Sequence, residues 1–314
     1  KEVINLLYKE WLNDWLENYV SPSAKQRTYE RYSDVVQKRL IPKFGDVDMS
    51  ALTPYVMQKY ITELTQRGNM MTGKGLSTNT VNSIIAVIQG SLRTAYSLGL
   101  IEAYTMDKIK RPKGQEKSVS CFSKQEQKSI EQAVLCDKRD KMFGIIICLY
   151  TGLRIGELLA LEWTDIDFAK AELTVNKTCY EGKNKNGEYC RFVNAPKTNT
   201  SRRIVPIPKQ LLPNLREMKK KSESQYVISN KGKYIHIRSY QRSFELLLKN
   251  NNLTRRGFHA LRHTFATRAL ECGMDVKTLS EILGHKNPTI TLNRYAHSMM
   301  EHKKEMMDRV GKLL

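Results

Sequence analysis

Apolar residues recur every three to four positions through most of this chain, and the pattern turns strand-like over one stretch only, residues 172–207. A period near 3.6 marks helices with one apolar stripe, and such helices hide the stripe by packing on each other. The chain is therefore read as mainly α with a small antiparallel β-sheet. Leu7, Trp11 and Trp15 stand four residues apart, with Leu12, Leu16 and Tyr19 beside them. They predict a helix through about residue 19, broken by Ser21-Pro22-Ser23. Tyr29, Tyr32, Val36 and Leu40 predict a second helix, stopped by Pro42. Thr53 then Pro54 is a cap followed by proline at the first helical position. It opens a third helix through Val56, Tyr60, Ile61 and Leu64. A loop from Gly68 to Gly75 follows. Ser77-Thr78 then opens a fourth helix, through Val81, Ile84, Ile85, Ile88, Leu92 and Ala95, closing at Gly99. Four helices with short connections make a bundle.

Arg111-Pro112-Lys113-Gly114 through Ser120 carries proline, glycine and charge without periodicity. This stretch, 111–120, reads as a linker between a helical domain, 1–110, and a second domain, 121–314. Ser123 and Glu126 form a capping box that restarts helix. Phe143, Ile146, Ile147 and Tyr150 predict a buried helix interrupted at Thr151-Gly152, and a short helix follows from Arg154 to about Leu161. Leu173–Tyr180, Tyr189–Val193 and Arg203–Ile207 read as strands, with turns at Gly182–Gly187 and Lys197–Ser201. Helices resume at Leu211, Ser239, Phe258, Asp275 and Pro288, and residues 298–314 form a tail.

The chain holds 52 lysines and arginines against 32 aspartates and glutamates, a formal charge of +20, with most of the excess after residue 114. A polyanion, nucleic acid first, is the implied partner. A merely soluble basic protein and a basic membrane-surface binder are the alternatives. Apolar stripes this long call for a protein core, which argues against the second. The longest apolar run, Gly144 to Leu153, is ten residues, and a membrane span needs about 20. The six cysteines form no C-x-x-C pair and read as reduced, cytosolic thiols. The N-terminus has no signal-peptide pattern, and a start at Lys1 rather than Met reads as a fragment.

Three segments could carry chemistry. On the helix opened by Phe258, the residues His259, Arg262, His263 and Ala266 share one stripe. Leu261, Phe265, Ala269 and Cys272 share another, taken as the buried one. The first stripe suits an anion, and an arginine fork fits phosphate. A plain solvated face is the alternative. So is zinc, from His259 and His263 with Cys272 and His285 downstream. Arg262 between the two histidines would repel a cation. In the second segment, Leu283-Gly284-His285-Lys286-Asn287-Pro288, one helix closes at Gly284 and the next opens at Pro288. His285 sits in the turn, and Tyr295 lies seven residues into the new helix. A DNA-reading helix-turn-helix is another reading of Asp275–His297. In the third, Thr151-Gly152-Leu153-Arg154-Ile155-Gly156-Glu157, Arg154 stands at a helix start, where its charge opposes the helix dipole. A nearby anion or a pair with Glu157 would offset that.

Together, Arg154 in Thr-Gly-Leu-Arg-Ile-Gly-Glu, His259-x-x-Arg262-His263, Leu-Gly-His285, and Tyr295 ten residues on resemble the tyrosine recombinase (phage integrase) family, most of all integrases of conjugative transposons. The resemblance covers nearly the whole chain. It implies a helical core-binding domain plus an α+β catalytic domain; such integrases often carry an additional N-terminal arm-binding domain, which is consistent with a missing start. It implies site-specific recombination of double-stranded DNA without metal or other cofactor. The tyrosine, Tyr295, attacks the scissile phosphate and forms a 3′-phosphotyrosine. Arg154 and Arg262 hold the phosphate, His259 accepts the proton, His285 assists at the phosphate, and Lys197, between two strands, protonates the leaving 5′-oxygen. A homo-oligomer on DNA, dimer to tetramer, accessory DNA-bending proteins, and a place in the bacterial cytosol on the nucleoid belong to the same expectation. Lys25, Arg27, Lys74, Asn79 and Arg93 are the DNA-contact candidates of the helical domain. Lys183 and Lys185, inside the Tyr180–Tyr189 stretch that is longer than the plain family hairpin, are the alternatives to Lys197. A non-catalytic DNA-binding protein and a type IB topoisomerase are the competing functions. A regulator needs no such full set of residues, and the helical domain and Leu-Gly-His285 favour the recombinase over the topoisomerase.

Overall fold

A computed structural model describes residues 6–114, 120–183, 187–194, 202–285 and 287–295, with 304, 307, 308 and 310–312 in the tail. Its chain divides into two compact units, Lys1–Lys117 and Ser118–Leu314.

The first unit is helical. Helix α1, Tyr8–Asp14, runs directly into wider π-type turns at Trp15–Val20. Its tryptophans are buried and anchored: the Trp11 indole N–H donates to Ser91 O at 3.1 Å and that of Trp15 to Thr94 Oγ1 at 3.2 Å. Both acceptors lie on α5, Thr78–Ser97. Pro42 does not stop the second helix. α2, Gln26–Val35, passes through π-type turns at Val36–Leu40 into α3, Ile41–Phe44. Proline lacks the N–H that an α-turn would use. The wider turn, in which Ile41 N–H reaches back five residues to Val36 O, carries the chain past it. α4, Pro54–Arg67, starts where Thr53 Oγ1 accepts from Val56 N–H, and α5 where Ser77 Oγ accepts from Thr80 N–H. Gly99 takes φ +74° just beyond α5. The apolar stripes of these helices form one core.

The second unit opens with α6, Lys124–Leu135, under the capping box of Ser123 and Glu126. α7, Gly144–Thr151, and α8, Ile155–Ala160, are almost wholly buried. The β segment holds two small sheets, not one. β1 (Ile166–Asp167), β2 (Glu172–Val175) and β5 (Arg203–Pro206) form one antiparallel sheet with β2 in the middle. β3 (Thr178–Lys183) and β4 (Tyr189–Asn194) form a separate antiparallel pair. The strand expected over Leu173–Tyr180 is broken at Asn176 and Lys177. Lys177 Nζ is paired to Glu162 at 2.7 Å and to Asp165 at 3.1 Å, and Asn176 donates to Asp165. These polar ties end β2 and let β3 start elsewhere. β3 lies against α8, where a Cβ on Gly156 would come within 2.5 Å of Cys179 O. The chain closes with α9 (Leu212–Lys221), α10 (Ile237–Asn250), α11 (His259–Glu271), α12 (Val276–Leu283) and α13 (Pro288–Tyr295). α11 packs on α7 and on α12. All six cysteines are free thiols. Among the described residues, no helix is long and apolar enough to cross a membrane.

Candidate active site

The site is assembled from chain reversals. α7 ends at Gly152 with φ +66°, and a Cβ there would stand 2.6 Å from Phe265 Cδ1 and 2.8 Å from Leu283 Cδ2. Only glycine meets both the left-handed backbone and the close approach of α11 and α12. We expect Gly152→Ala to cost about 2–4 kcal/mol of stability, from the left-handed backbone and overpacking together. Denaturant unfolding checks this, and a midpoint equal to wild type would contradict it. Two residues on, Arg154 is the N-cap of α8. Its own N–H donates to Glu157 Oε2 at 2.9 Å, and its Nη1 to Glu157 Oε1 at 2.7 Å. The pair with Glu157 that the sequence suggests is therefore present.

Three arginines from separate segments meet at the end of α12. The last carbonyls of a helix have no partner within it and carry the negative end of its dipole. Here Ile282 O accepts from Arg203 Nε, Leu283 O from Arg262 Nη2 at 2.6 Å, and Gly284 O from Arg154 Nη2 at 3.3 Å. Arg262 also donates from Nη1 to Gly152 O at 2.8 Å, so it ties the end of α7 to the end of α12. Its side chain is 2% exposed. This corrects the reading of α11. Helices lie against it on more than one side, so the Arg262 and Ala266 stripe is internal too, while Cys272, at the C-cap, is exposed.

Arg262 Nη2 lies 2.9 Å from His285 Nε2, and His285 Nδ1 lies 2.7 Å from Thr291 Oγ1. A guanidinium only donates, so Nε2 accepts and the ring proton sits on Nδ1, facing Thr291. Both ring nitrogens are thus engaged, and His285 helps to orient Arg262. Glu157 is 6% exposed. Burial pushes its carboxyl up, but Arg203 and Arg154 outweigh that and hold it down at about 2. It is ionised at neutral pH.

The structure brings together Arg154, Arg262 and His285. It adds Arg203, Glu157 and Thr291, which the sequence reading did not assign. His259 lies one turn before Arg262 on α11, exposed, its ring edge-on to that of His263 with centroids 4.6 Å apart. Among the described residues, no three metal-binding side chains gather as a candidate metal site. Lys197 and Lys185 lie outside the described residues. Tyr295 is the last residue of α13, and its side chain lies outside the described part. In the first unit, Lys25, Arg27, Lys74 and Asn79 are exposed. Arg93 is exposed but paired with Asp107 at 3.1 Å and set over the Tyr104 ring.

The model described as "Phage integrase family" matches residues 121–302, and the "Phage integrase, N-terminal SAM-like domain" model matches residues 7–65. A "Tyrosine recombinase XerC-like" protein of Caldanaerobacter subterraneus subsp. tengcongensis is 29% identical over 96% of this chain and 82% of its own length. The ICEBs1 integrase of Bacillus subtilis is 26% identical over 93% of this chain and 79% of its own. The fold is shared with the Tn1549 transposon integrase solved in complex with transposon right end DNA: TM-score 0.81, 21% identity, 98% of this chain and 100% of that one. The chain belongs to the phage integrase family, the tyrosine-type site-specific DNA recombinases.

Proposed function

We infer that this chain is the integrase of a mobile element and moves DNA through a 3′-phosphotyrosine at Tyr295. The observation that supports this most is the gathering of Arg154, Arg203 and Arg262 at the end of α12, one turn of chain before the helix that ends at Tyr295. In this reading the Tyr295 oxygen attacks phosphorus, and the P–O5′ bond breaks. His259 takes the phenol proton, and Lys197 gives a proton to the departing 5′-oxygen. A phenol with a pKa of about 10 is protonated at neutral pH, so a base must take its proton, and the 5′-oxygen, a poor leaving group as an alkoxide, needs an acid. Arg154 and Arg262 meet the charge that builds on the non-bridging oxygens, and His285 keeps Arg262 in place. Attack by another strand's 5′-hydroxyl reverses the step, and the phosphoester energy is conserved.

The domain assignment fits the same reading. Residues 1–110 grip duplex DNA through Lys25, Arg27, Lys74 and Asn79, with Arg93 joining once it leaves Asp107. Residues 111–120 are the linker, 121–314 the catalytic domain, and 298–314 its tail. The protein works as a dimer to tetramer on DNA, with accessory DNA-bending proteins, in the bacterial cytosol on the nucleoid. The names of an ICEBs1 integrase and of a transposon integrase bound to transposon-end DNA, both similar to this chain, support the mobile-element part of this reading.

The test is covalent capture. A pool of nicked duplexes with randomised cores is incubated with the chain, and DNA that stays attached after denaturation is amplified. Enrichment of a defined core site is expected. Failure to retain any duplex covalently would overturn the reading. Because side-chain cations serve the phosphate, EDTA is expected to leave the rate of capture on the selected duplex unchanged. Loss of capture restored by Mg²⁺ or Zn²⁺ would contradict that part.

A further inference from the structure

The three arginines at the end of α12 are not equivalent. The Arg154 side chain is 36% exposed, whereas that of Arg203 is 5% exposed. Unlike Arg154, Arg203 turns inward: its described bonds go to Ile282 O and to both oxygens of Glu157. Glu157 lies between it and Arg154, and each carboxylate oxygen takes one bond from each arginine. Oε1 accepts from Arg154 Nη1 at 2.7 Å and from Arg203 Nη1 at 3.1 Å. Oε2 accepts from the Arg154 backbone N–H and from Arg203 Nη2, both at 2.9 Å. One buried negative charge is thus shared by two positive ones.

We propose that Arg203 is a positioning residue for strand cleavage: by sharing Glu157, it leaves the charge of Arg154 available to the scissile phosphate. With Arg203 gone, the buried carboxylate has Arg154 as its remaining guanidinium partner. The two would then close into a neutral pair, and the phosphate would meet less positive charge. Arg203 also bonds Ile282 O and thereby holds β5 against the end of α12. Its planar fork spans both carboxylate oxygens, which a lysine ammonium does not. The low carboxyl pKa of Glu157 agrees with this sharing, since Arg203 is the leading opposing influence to its burial. The inference rests on the reading of Arg154 as a phosphate-binding residue.

The test uses the full chain and two versions of the captured nicked duplex. One carries the ordinary scissile phosphodiester. In the other, a methyl group replaces one non-bridging oxygen, so the linkage starts neutral and gathers one negative charge fewer in the transition state for Arg154 to meet. Single-turnover covalent-complex formation is timed on both. Arg203→Met is expected to slow the phosphodiester about 10- to 100-fold, part of the loss seen when an oxyanion donor is removed. On the neutral linkage the same protein should lose less than about 3-fold, because the missing charge matters less there. The comparison is made within one preparation, so the folded fraction cancels. Arg203→Lys, which keeps the charge but not the fork, should recover only part of the phosphodiester rate lost in Arg203→Met. If Arg203→Met folds poorly, the Glu157→Gln/Arg203→Met double variant, which buries no unpaired carboxylate, carries the same test. It should cleave the phosphodiester within about 10-fold of wild type. Equal losses on the two linkages would reduce Arg203 to a structural role and overturn the inference, as would an undiminished phosphodiester rate in Arg203→Met. A wild-type chain inactive on the phosphodiester would instead bring down the recombinase reading beneath it.

Discussion

Tyr295→Phe abolishes covalent attachment to DNA and leaves folding and DNA binding close to wild type. The change deletes one hydroxyl at the last residue of α13. Phenylalanine has no lone pair to offer phosphorus, so the loss should be complete rather than partial. Denaturing gels of the selected nicked duplex give the covalent product, and gel-shift titration gives the affinity. A covalent band at wild-type level from the variant would mean that another residue is the nucleophile.

The second large effect belongs to Arg262, and it has two parts. Arg262→Gln should slow covalent-complex formation by about 10²–10³, the loss expected when a donor to the developing oxyanion is removed. It should also destabilise the protein. The side chain is 2% exposed and satisfies the carbonyls of Gly152 and Leu283. Buried acceptors left without a donor cost about 1–3 kcal/mol each. The His285 ring loses its Nε2 partner as well, so its tautomer is no longer fixed. Rates measured well below the melting temperature separate the catalytic part from the folding part. A folded Arg262→Gln protein that cleaves at the wild-type rate would show that this arginine only holds helices together.

How much of this was legible in the chain depended on distance along it. Local signals were read well: the Thr53-Pro54 and Ser77 caps, the Ser123/Glu126 box, and Gly152 as a helix stop each depend on a few adjacent residues. Pro42 misled because a proline usually ends a helix. A widened turn just ahead of it, in a rod packed into the core, removes the need for its missing N–H. The two sheets were read as one because period reports that a segment is a strand, not which strand it pairs with. The ties of Lys177 to Glu162 and Asp165 decide that, and they are made in space. The burial of Arg262 was missed for a similar reason. A helical wheel supposes one buried stripe, whereas α11 has α7 and α12 against it, and the open carbonyls of two helix ends make an internal arginine affordable. Arg203 sits 46 residues from Glu157. The faint signal was an arginine, Arg203, at the start of a strand, where alternate side chains point to opposite faces and one set turns inward.

The most direct measurement is the identity of the protein–DNA bond. The chain is trapped on the selected nicked duplex and digested with protease and nuclease, and the adduct is located by mass spectrometry. The account predicts a nucleotide joined through its 3′-phosphate to Tyr295, with a 5′-hydroxyl on the released strand. An adduct on any other residue, or a 5′-phosphate on the released strand, would contradict it.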